Sequence, residues 1–350
     1  MKKILMVCES FGGGVFAYVA QLCNDMCDDF EVYLAYGLRS QTPSNFKDLL
    51  DERIHLIEVP NFGKLKKIGK TVRFLRNIEK EIKPDIIHLH SSIAGGIGRI
   101  AFKKRKESVI YTPHGFAHIL LGSGFKSWVY KRMEKILGNR ALTLTCCESE
   151  DEEAKKFSKR TAFIETGIDV EEFDKVLQNI KTTEKEEFTV FTLGRICTQK
   201  QPQLFNQIAE LTPEVKFIWI GDGELRNELK APNIEITGWL PRMEALALAK
   251  QADVFILCSL GEAIAMSLLE NMYLKKLCLV SNTIGNRSVI VDDKNGFVCE
   301  TPLDYSQHIK DAFVRYPNEL ISQAFEDISS IYNRETMKTK YIEFYRSFTK

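Results

Sequence analysis

The chain contains 350 residues, enough for two domains of ordinary size. Its apolar content of 44% and charged content of 27% are those of globular proteins, which excludes a disordered or fibrous chain. Lys and Arg number 48 and Asp and Glu number 47, so the formal net charge is only +1. A dedicated nucleic-acid-binding protein usually carries a large basic excess, and this total argues against one.

The first residues predict a buried strand rather than an export signal. Their apolar run, Ile4 to Val7, lies between Lys3 and Glu9 and is too short for a signal-peptide core. No stretch approaches the roughly 20 apolar residues of a membrane span. The nine cysteines include no Cys-x-x-Cys pair, and Cys23 and Cys27, one helical turn apart, have no further ligand nearby in sequence. We therefore expect a cytoplasmic chain with reduced, buried thiols and no metal cofactor.

Short apolar runs alternate with longer amphipathic stretches along the chain. The apolar runs predict strands at residues 4–8, 31–35, 86–90, 109–112, 141–146, 161–164, 189–193, 217–220, 254–257 and 277–280. The amphipathic stretches predict helices at residues 16–27, 71–82, 151–160, 204–211, 243–252 and 334–348. Nearly all-apolar strands that alternate with helices indicate doubly wound α/β domains, whose parallel sheets are buried on both faces.

The alternation weakens between about residue 150 and residue 187, where a charged run at 181–187 precedes a new apolar strand. We predict a first Rossmann-like domain at 1–165 and a second at 166–331. The last helix, within about 332–350, presents Tyr341, Phe344 and Tyr345 on one face and needs an apolar partner.

The two halves differ in charge. Residues 1–165 contain 27 Lys and Arg against 20 Asp and Glu, whereas the remainder contains 21 against 27. Within residues 61–140 the counts are 18 against 5. A solvated helix face explains such a surface, and so does adhesion to an anionic membrane, where each well-placed cation contributes about 1 kcal/mol. The segment 125–137 places Trp128 and other apolar residues beside cations and is the candidate for the membrane side.

Three glycines, Gly12, Gly13 and Gly14, follow the first predicted strand and open a helix at Val15. A glycine turn lets a ligand approach the backbone, and a helix N-terminus offers unpaired N–H groups to an anion. The spacing is not the Gly-x-Gly-x-x-Gly fingerprint of dinucleotide sites, and a tight strand–helix turn explains the glycines equally well.

Two cations, Arg195 and Lys200, follow the strand predicted at 189–193. Doubly wound sheets bind ligands at the carboxyl ends of their parallel strands. The planar fork of Arg and the compact charge of Lys together suit a diphosphate. Two solvated cations in a surface loop are the alternative interpretation.

Two carboxylates, Glu262 and Glu270, follow the strand predicted at 254–257. We expect Glu270 to lie about two turns into a buried helix and Glu262 just before or at its start, so that both face one cleft. A carboxylate accepts hydrogen bonds from vicinal hydroxyls, such as those of sugars and ribose. For Glu262 the alternative is a helix-start charge favoured by the helix dipole.

Histidines mark the ends of two strands in the first half. His114 is expected to project from a loop at a carboxyl end, although an isolated His is more often structural than catalytic. His88 and His90 share one face of a strand, and without a third ligand packing is favoured over metal binding. The sequence contains no Walker A motif, nucleophile elbow or His-Glu-x-x-His, and Asp222-Gly223-Glu224 is the nearest approach to Asp-x-Asp.

Taken together, these motifs resemble those of the retaining glycosyltransferases of family 4 over nearly the whole chain. The shared segments occur in the family's order at residues 12–14, 112–116, 166–169, 194–200, 221–224, 262–270 and 295–297. The most specific is the pair Glu262 and Glu270, which are separated by seven intervening residues and follow Ser259-Leu260. The segment 112–116 resembles the bacterial branch that builds capsule, exopolysaccharide or O-antigen chains. The resemblance implies a GT-B fold, in which two Rossmann-like domains face a cleft and the last helix crosses back to the first.

The resemblance implies a donor site in the second domain. Arg195 and Lys200 would neutralise the donor diphosphate, and Glu270 would accept the ribose hydroxyls. Glu262 would contact the donor sugar, beside the backbone N–H groups of Ile264 and Ala265. The base would lie near Trp239 and Leu240.

The resemblance also implies roles for the first domain. His114 would face the donor sugar, and Gly13 and Gly14 would approach the donor phosphate and the acceptor. Three positions depart from the family pattern, because Ala263 replaces a Gly, Asn271 an Ala and Ser288 a frequent Glu. These departures bear on the identity of the donor sugar.

We therefore expect a metal-independent, retaining glycosyltransferase that moves a sugar from a nucleotide-diphosphate sugar, with UDP as the expected nucleotide, to a hydroxyl of a glycan or lipid-linked saccharide. It would work in the cytoplasm or peripherally on the inner face of the cell membrane. A nucleotide-sugar epimerase of the same fold and a non-catalytic two-lobed sugar-binding protein are the alternatives.

Overall fold

The computed structural model describes residues 1–122, 124–180 and 187–348, which form two compact units. The first comprises Met1–Glu165 together with the C-terminal segment from Met337, and the second comprises Thr166–Thr336. Most of the charged run predicted as part of the boundary, residues 181–186, lies outside the described residues.

The first unit is built on a seven-stranded parallel sheet in the order β3-β2-β1-β4-β5-β6-β7. Its strands are β1 (Lys2–Cys8), β2 (Phe30–Tyr36), β3 (His55–Glu58), β4 (Ile86–His90), β5 (Val109–Thr112), β6 (Leu142–Thr145) and β7 (Thr161–Phe163). Its helices are α1 (Gly13–Met26), α2 (Ile68–Ile82), α3 (Ser92–Ala101), α4 (Ala117–Leu120), α5 (Phe125–Leu137) and α6 (Glu148–Lys155).

The second unit repeats this architecture with six parallel strands in the order β10-β9-β8-β11-β12-β13. Its strands are β8 (Thr189–Leu193), β9 (Lys216–Ile220), β10 (Ile234–Ile236), β11 (Val254–Leu257), β12 (Leu277–Ser281) and β13 (Phe297–Cys299). Its helices are α7 (Val170–Gln178), α8 (Pro202–Glu210), α9 (Arg242–Gln251), α10 (Met266–Tyr273), α11 (Asn286–Val289), α12 (Pro302–Val314) and α13 (Asn318–Ser330). Both sheets are doubly wound, which confirms the predicted fold class.

The strands that sequence reasoning missed are β3, β10 and β13, and each is an edge strand. These strands have only three or four residues, most of them partly exposed, so their apolar runs are shorter or more interrupted than those of the central strands. The helix predicted at 151–160 is displaced, because α6 ends at Lys155. The chain then turns, with the Ser158 hydroxyl bonding to the Arg160 carbonyl, before the edge strand β7 begins.

The last helix, α14 (Arg334–Phe348), finds its apolar partner in the first unit. Tyr341 and Tyr345 are fully buried there, whereas Phe344 is half-buried. The Tyr341 hydroxyl lies 2.6 Å from that of Tyr18 on α1, and the Tyr345 hydroxyl lies 2.6 Å from Nδ1 of His88 on β4. Among the described residues, no helix is both long enough and apolar enough to cross a membrane.

A buried ion pair fastens helix α5 to the first unit. Nη2 of Arg99 on α3 lies 2.9 Å from Oε2 of Glu134 on α5, and both side chains are almost completely buried. The Tyr111 hydroxyl donates to Glu134 Oε1 at 2.9 Å, and the Arg99 guanidinium stacks over the Tyr111 ring. Because neither charge reaches solvent, each depends on the other for compensation.

We predict that Glu134→Gln lowers the free energy of unfolding of the first unit by about 3 kcal/mol, because it leaves the Arg99 charge buried without compensation. Urea denaturation followed by circular dichroism measures the loss. Glu107→Gln is the matched control, because Glu107 pairs with Arg160 at an exposed position and its loss should cost less than about 1 kcal/mol. Equal losses in the two variants would contradict this account of the pair.

Candidate functional site

The second sheet brings loops together where its winding reverses. β8 and β11 are neighbours in the middle of the sheet, and the chain leaves them toward opposite edges. The loops after their carboxyl ends therefore meet outside the sheet, at the position where open α/β sheets bind ligands. The loop after β8 carries Arg195 and Lys200, and the loop after β11 carries Glu262.

Lys200 and Glu262 form a partly buried ion pair between these two loops. Nζ of Lys200 lies 2.7 Å from Oε1 of Glu262, and the two side chains are 18% and 12% exposed. The Ser259 hydroxyl donates to the same oxygen at 2.7 Å. Glu262 Oε2 has no hydrogen-bond partner among the described residues, so it is available to accept from a ligand hydroxyl.

Two further hydrogen bonds fix the positions of these loops relative to each other. The Leu260 N–H donates to the Gln199 carbonyl at 2.9 Å, and the Gln199 side-chain amide donates to the Gly261 carbonyl at 3.0 Å. Gly285, which follows β12, has a left-handed φ of +88°, and a Cβ there would lie 1.9 Å from the Ala263 carbonyl oxygen. A glycine is required at 285 so that this third loop can pack directly on the backbone beside Glu262.

Arg195 lies two residues after the end of β8 and is exposed. Within the part of the chain that the structure describes, no carboxylate lies within ion-pair distance of its guanidinium. Its charge is thus not already neutralised by the protein, in contrast to that of Lys200.

Glu270 lies in a cavity of about 240 Å³ between β8, β9 and α9. The lining includes Gly194, Trp239, Leu240 and Arg242. Nη2 of Arg242 lies 2.7 Å from Oε1 of Glu270. Burial raises the pKa of Glu270 above its usual value, and the nearby Arg242 charge opposes this rise.

The expected helical geometry of the two carboxylates needs correction. Helix α10 begins at Met266, so Glu262 precedes the helix by four residues. Glu270 is the fifth residue of the helix, about one turn from its start rather than the two turns expected. Each carboxylate also pairs with its own cation, Lys200 for Glu262 and Arg242 for Glu270. The alternative role of Glu262 as a helix-start charge is therefore wrong.

Ile264 and Ala265 lie between Glu262 and the helix. Ala265 is the N-cap of α10, and its methyl side chain cannot accept a hydrogen bond from the first helical N–H groups. The start of α10 is thus a region of backbone donors that no capping side chain serves.

The first unit carries the other predicted residues, Gly13, Gly14 and His114. Gly13 has a φ of +56° and so needs to be glycine for the turn into α1. Gly14 has no such φ, and a Cβ on either residue would meet no atom within 4 Å. Neither backbone strain nor packing requires a glycine at 14. The space in front of this backbone is therefore open.

His114 lies on the loop after β5, and neighbouring side chains hold its ring. Its Nε2 lies 3.0 Å from Nδ1 of His90, and its Nδ1 lies 3.7 Å from Sγ of Cys146. The ring also packs edge-on against Tyr18, with 4.6 Å between ring centroids. Burial lowers the pKa of His114 to about 3, so its imidazole is neutral at pH 7.

Glu150 braces the two loops beside His114, a function that sequence reasoning missed. Its Oε1 accepts from the Gly115 N–H at 2.8 Å and its Oε2 from the Cys146 N–H at 3.1 Å. Burial raises the pKa of Glu150 to about 7, although both N–H groups favour the charged form. The signal in sequence is weak, because Glu150 is one of several acidic residues at the start of α6.

The histidine and cysteine candidates take structural positions. His88 is fully buried, and its Nε2 lies 2.8 Å from the Thr112 hydroxyl. All nine cysteines lie in the described ranges, where they are buried and form no disulfide bond, and the Cys27 thiol donates to the Cys23 carbonyl. Over the ranges that the structure describes, no group of three or more His, Cys, Asp or Glu residues is arranged to hold a metal ion.

Ser259 and Arg242 complete the site in the second unit and were not predicted. Each is recognised only through its tertiary partner, Glu262 for Ser259 and Glu270 for Arg242. A polar residue in a loop and a cation at the start of a helix carry no distinguishing pattern in sequence.

Comparison with known proteins adds family membership to this geometry. The family model described as Glycosyltransferase Family 4 matches residues 12–172, and the model described as Glycosyl transferases group 1 matches residues 174–319. A UDP-Gal:alpha-D-GlcNAc-diphosphoundecaprenol alpha-1,3-galactosyltransferase from Escherichia coli is 30% identical over 284 residues, which cover 72% of this chain and 73% of that protein. An uncharacterized 41.2 kDa protein in the cps region of Klebsiella pneumoniae is 25% identical over 99% of this chain and 100% of its own length.

Solved structures share the fold along the whole chain. Sucrose-phosphate synthase from Thermosynechococcus elongatus superposes with a TM-score of 0.78 at 15% identity and covers 99% of each chain. HepE from Anabaena, in complex with UDP and glucose, gives a TM-score of 0.77 at 19% identity, over 99% of this chain and 100% of its own. The two doubly wound units, the two family models that together span most of the chain and the E. coli relative lead to one conclusion: this chain is a glycosyltransferase of family 4, built on the GT-B fold.

Proposed function

We propose that this glycosyltransferase moves a sugar from a UDP-sugar to a hydroxyl of a lipid-linked saccharide, with retention of the anomeric configuration and without a metal ion. The observation that carries the proposal is the Lys200–Glu262 ion pair between the loops after β8 and β11, beside a cavity at the carboxyl ends of β8 and β9 that holds the Arg242–Glu270 pair. We assign donor binding to residues 166–331 and acceptor binding to residues 1–165 with the last helix.

The donor diphosphate is assigned to Arg195 and Lys200. Arg195 has no acidic partner among the described residues, so a phosphate would meet an uncompensated guanidinium. Lys200 is held by Glu262 and keeps its ammonium at the edge of the carboxyl-end loops. Fixed positive charge at this place stabilises the negative charge that develops on the departing diphosphate, which is the service a divalent metal would otherwise supply.

The nucleoside is assigned to the cavity around Glu270. The carboxylate accepts hydrogen bonds and Arg242 fixes its orientation, so vicinal ribose hydroxyls have an acceptor in a site partly shielded from water. Leu240 and Trp239 line the same cavity and offer apolar surface to a base. The assignment of UDP draws support from HepE, whose described complexes contain UDP.

The donor sugar is assigned to the free oxygen of Glu262 and to the backbone N–H groups of Ile264 and Ala265. His114 is assigned to the same sugar from the first unit, and because its imidazole is neutral it would act by hydrogen bonding rather than by charge. Gly13 and Gly14 are assigned to the donor phosphate and the acceptor, since the space in front of them is open.

The reaction needs no covalent intermediate on the protein. The bond between the anomeric carbon and the diphosphate oxygen breaks, and the acceptor oxygen bonds to the same face of that carbon. The acceptor proton passes to the departing phosphate oxygen, so atoms and charges balance. The protein contributes orientation and fixed charge.

The acceptor is assigned to the class of polyprenyl-diphosphate saccharides. By its name, the E. coli relative acts on a GlcNAc-diphosphoundecaprenol. We therefore place this enzyme peripherally at the inner face of the cell membrane, where the anionic leaflet would attract the basic surface of residues 61–140.

The proposal is tested by incubating the enzyme with a panel of UDP-sugars and an undecaprenyl-diphosphate-linked monosaccharide in detergent, with and without a chelator. We expect one donor to give a glycosylated lipid whose anomeric configuration, read by NMR, matches that of the donor, with equal rates in the chelator. An epimerised free sugar in the absence of acceptor would identify the epimerase alternative. Donor binding without turnover across an acceptor panel would identify the binding-protein alternative.

We predict that Arg195→Ala and Lys200→Ala each lower kcat at least about 100-fold with a smaller change in KM, because the lost charge serves the developing diphosphate anion. UDP release measured against donor concentration separates the two constants. Arg315→Ala, at another exposed cation of the second unit, is the control and should retain full activity. Near-normal turnover in both site variants would refute the assigned phosphate role.

We predict that Glu270→Gln weakens UDP binding about tenfold because the ribose loses an anionic acceptor. Calorimetry with UDP and with 2′,3′-dideoxy-UDP makes this a double-mutant cycle. The wild type should bind the dideoxy compound more weakly than UDP, and Glu270→Gln should bind both alike, whereas Glu244→Gln, at an exposed carboxylate on α9, should behave as the wild type. A variant that still distinguishes the two ligands would place the ribose elsewhere.

A further inference from the structure

Helix α5 presents an apolar side to solvent. Phe125, Trp128, Val129 and Ile136 are 77%, 55%, 42% and 69% exposed. At about 100° per residue these four side chains fall within one sector of the helix, opposite the buried Glu134. A solvent-facing helix normally carries polar residues in this sector, so the pattern is inverted. We call this sector, with the cations that border it, the α5 face.

The α5 face belongs to a firmly held helix. On the opposite side, Glu134 is fixed by Arg99 and Tyr111, and Leu137 packs into the protein. The four exposed apolar side chains therefore form a rigid surface that the first unit leaves uncovered. Phe125 and Trp128 stack with 5.8 Å between ring centroids, which makes the surface continuous.

Cations border the apolar sector. Lys126 lies on one side of it and Lys131 and Lys135 on the other, and all three are exposed. Arg132 lies inside the sector, with its guanidinium 5.6 Å from the centre of the Trp128 ring. The sole carboxylate of α5, Glu134, is buried and paired, so it does not offset these charges at the surface.

The helices next to α5 extend the positive surface. α3 contacts both α2 and α5, so the three helices form one layer over the sheet. Exposed cations on and near α2 and α3 include Lys66, Lys70, Arg73, Lys103 and Lys104.

We propose that the α5 face is a docking surface for an anionic lipid bilayer. This docking rests on the proposed function in one respect only: it would bring the enzyme to a lipid-linked acceptor. Trp128, Phe125, Val129 and Ile136 would enter the boundary between headgroups and acyl chains, where aromatic rings with adjacent cations are favoured. The bordering lysines would stay at the level of the anionic headgroups.

The charge of the α5 face favours lipid over a second copy of this chain. A symmetric contact between two copies would oppose the same cations to one another across the interface. An anionic bilayer neutralises all of them at once, and it matches the absence of exposed carboxylates on α5.

The test uses the full-length protein and two vesicle compositions, pure phosphatidylcholine and phosphatidylcholine with about 30 mol% phosphatidylglycerol. We expect co-sedimentation with the anionic vesicles at low salt, weakening at about 0.5 M NaCl, and little binding to the neutral vesicles. Brominated lipids should quench the fluorescence of the wild type, and this quenching should largely vanish in Trp128→Phe, which retains binding.

Two variants divide the apolar and ionic parts of the α5 face. Phe125→Ser/Trp128→Ser and Lys131→Gln/Arg132→Gln/Lys135→Gln should each lower the vesicle partition coefficient at least about tenfold. The matched controls are Val314→Ser, at an apolar residue that is 86% exposed, and Lys175→Gln/Lys294→Gln/Arg315→Gln, at exposed cations of the second unit. Both controls should bind vesicles as the wild type does. Because all substituted side chains are exposed, thermal unfolding should be unchanged.

Three results would overturn the proposal. They are absence of binding to anionic vesicles at low salt, wild-type binding by Phe125→Ser/Trp128→Ser, and a vesicle-free dimer that the same variant abolishes, which would assign the α5 face to a second copy. Vesicle binding is measured without donor or acceptor. A chain that binds vesicles but transfers no sugar therefore refutes the proposed function alone, and one that transfers sugar in detergent but ignores anionic vesicles refutes the α5 face alone.

Discussion

The ion pair between Lys200 and Glu262 is the interaction on which the site in the second unit depends. It joins the loop after β8 to the loop after β11, two segments more than sixty residues apart that meet because the sheet reverses its winding there. The Gln199–Gly261 and Leu260–Gln199 hydrogen bonds hold the same two loops, so the charges sit on a fixed backbone. Preorganised charge of this kind requires little rearrangement when a polyanion arrives.

Three carboxylates, Glu262, Glu270 and Glu150, are held in place by specific partners. Oε1 of Glu262 accepts hydrogen bonds from Lys200 and Ser259, whereas its Oε2 accepts none from the described residues. Glu270 is oriented by Arg242 within a cavity that raises its pKa. In the first unit, both carboxylate oxygens of Glu150 accept hydrogen bonds from backbone N–H groups beside His114, so Glu150 positions these loops.

The sequence predicted the centre of each sheet and the loops that carry the site, because buried parallel strands are continuous apolar runs and their carboxyl ends are fixed by topology. It did not predict the edge strands β3, β10 and β13, which have only three or four residues, most of them partly exposed. The resemblance to family 4 is confirmed by the family models and the E. coli relative. The roles of Ser259, Arg242 and Glu150 were not predicted, because each role depends on a contact with a residue distant in sequence or on the loop geometry. The contact between His114 and His90 of β4 was not predicted, because it has no sequence signal.

The near-zero net charge of the chain conceals two different arrangements of positive charge. Residues 166–350 carry an excess of acidic residues, yet they present Arg195 and Lys200 at one place, where a partly buried ammonium is little affected by bulk salt. Residues 61–140 instead spread their basic excess over an exposed layer of helices, where salt screens each charge within about a Debye length. The first arrangement suits one small diphosphate held in a defined geometry. The second suits an extended anionic surface that moves laterally and needs no fixed register, which is the property of a membrane that holds a lipid-linked acceptor.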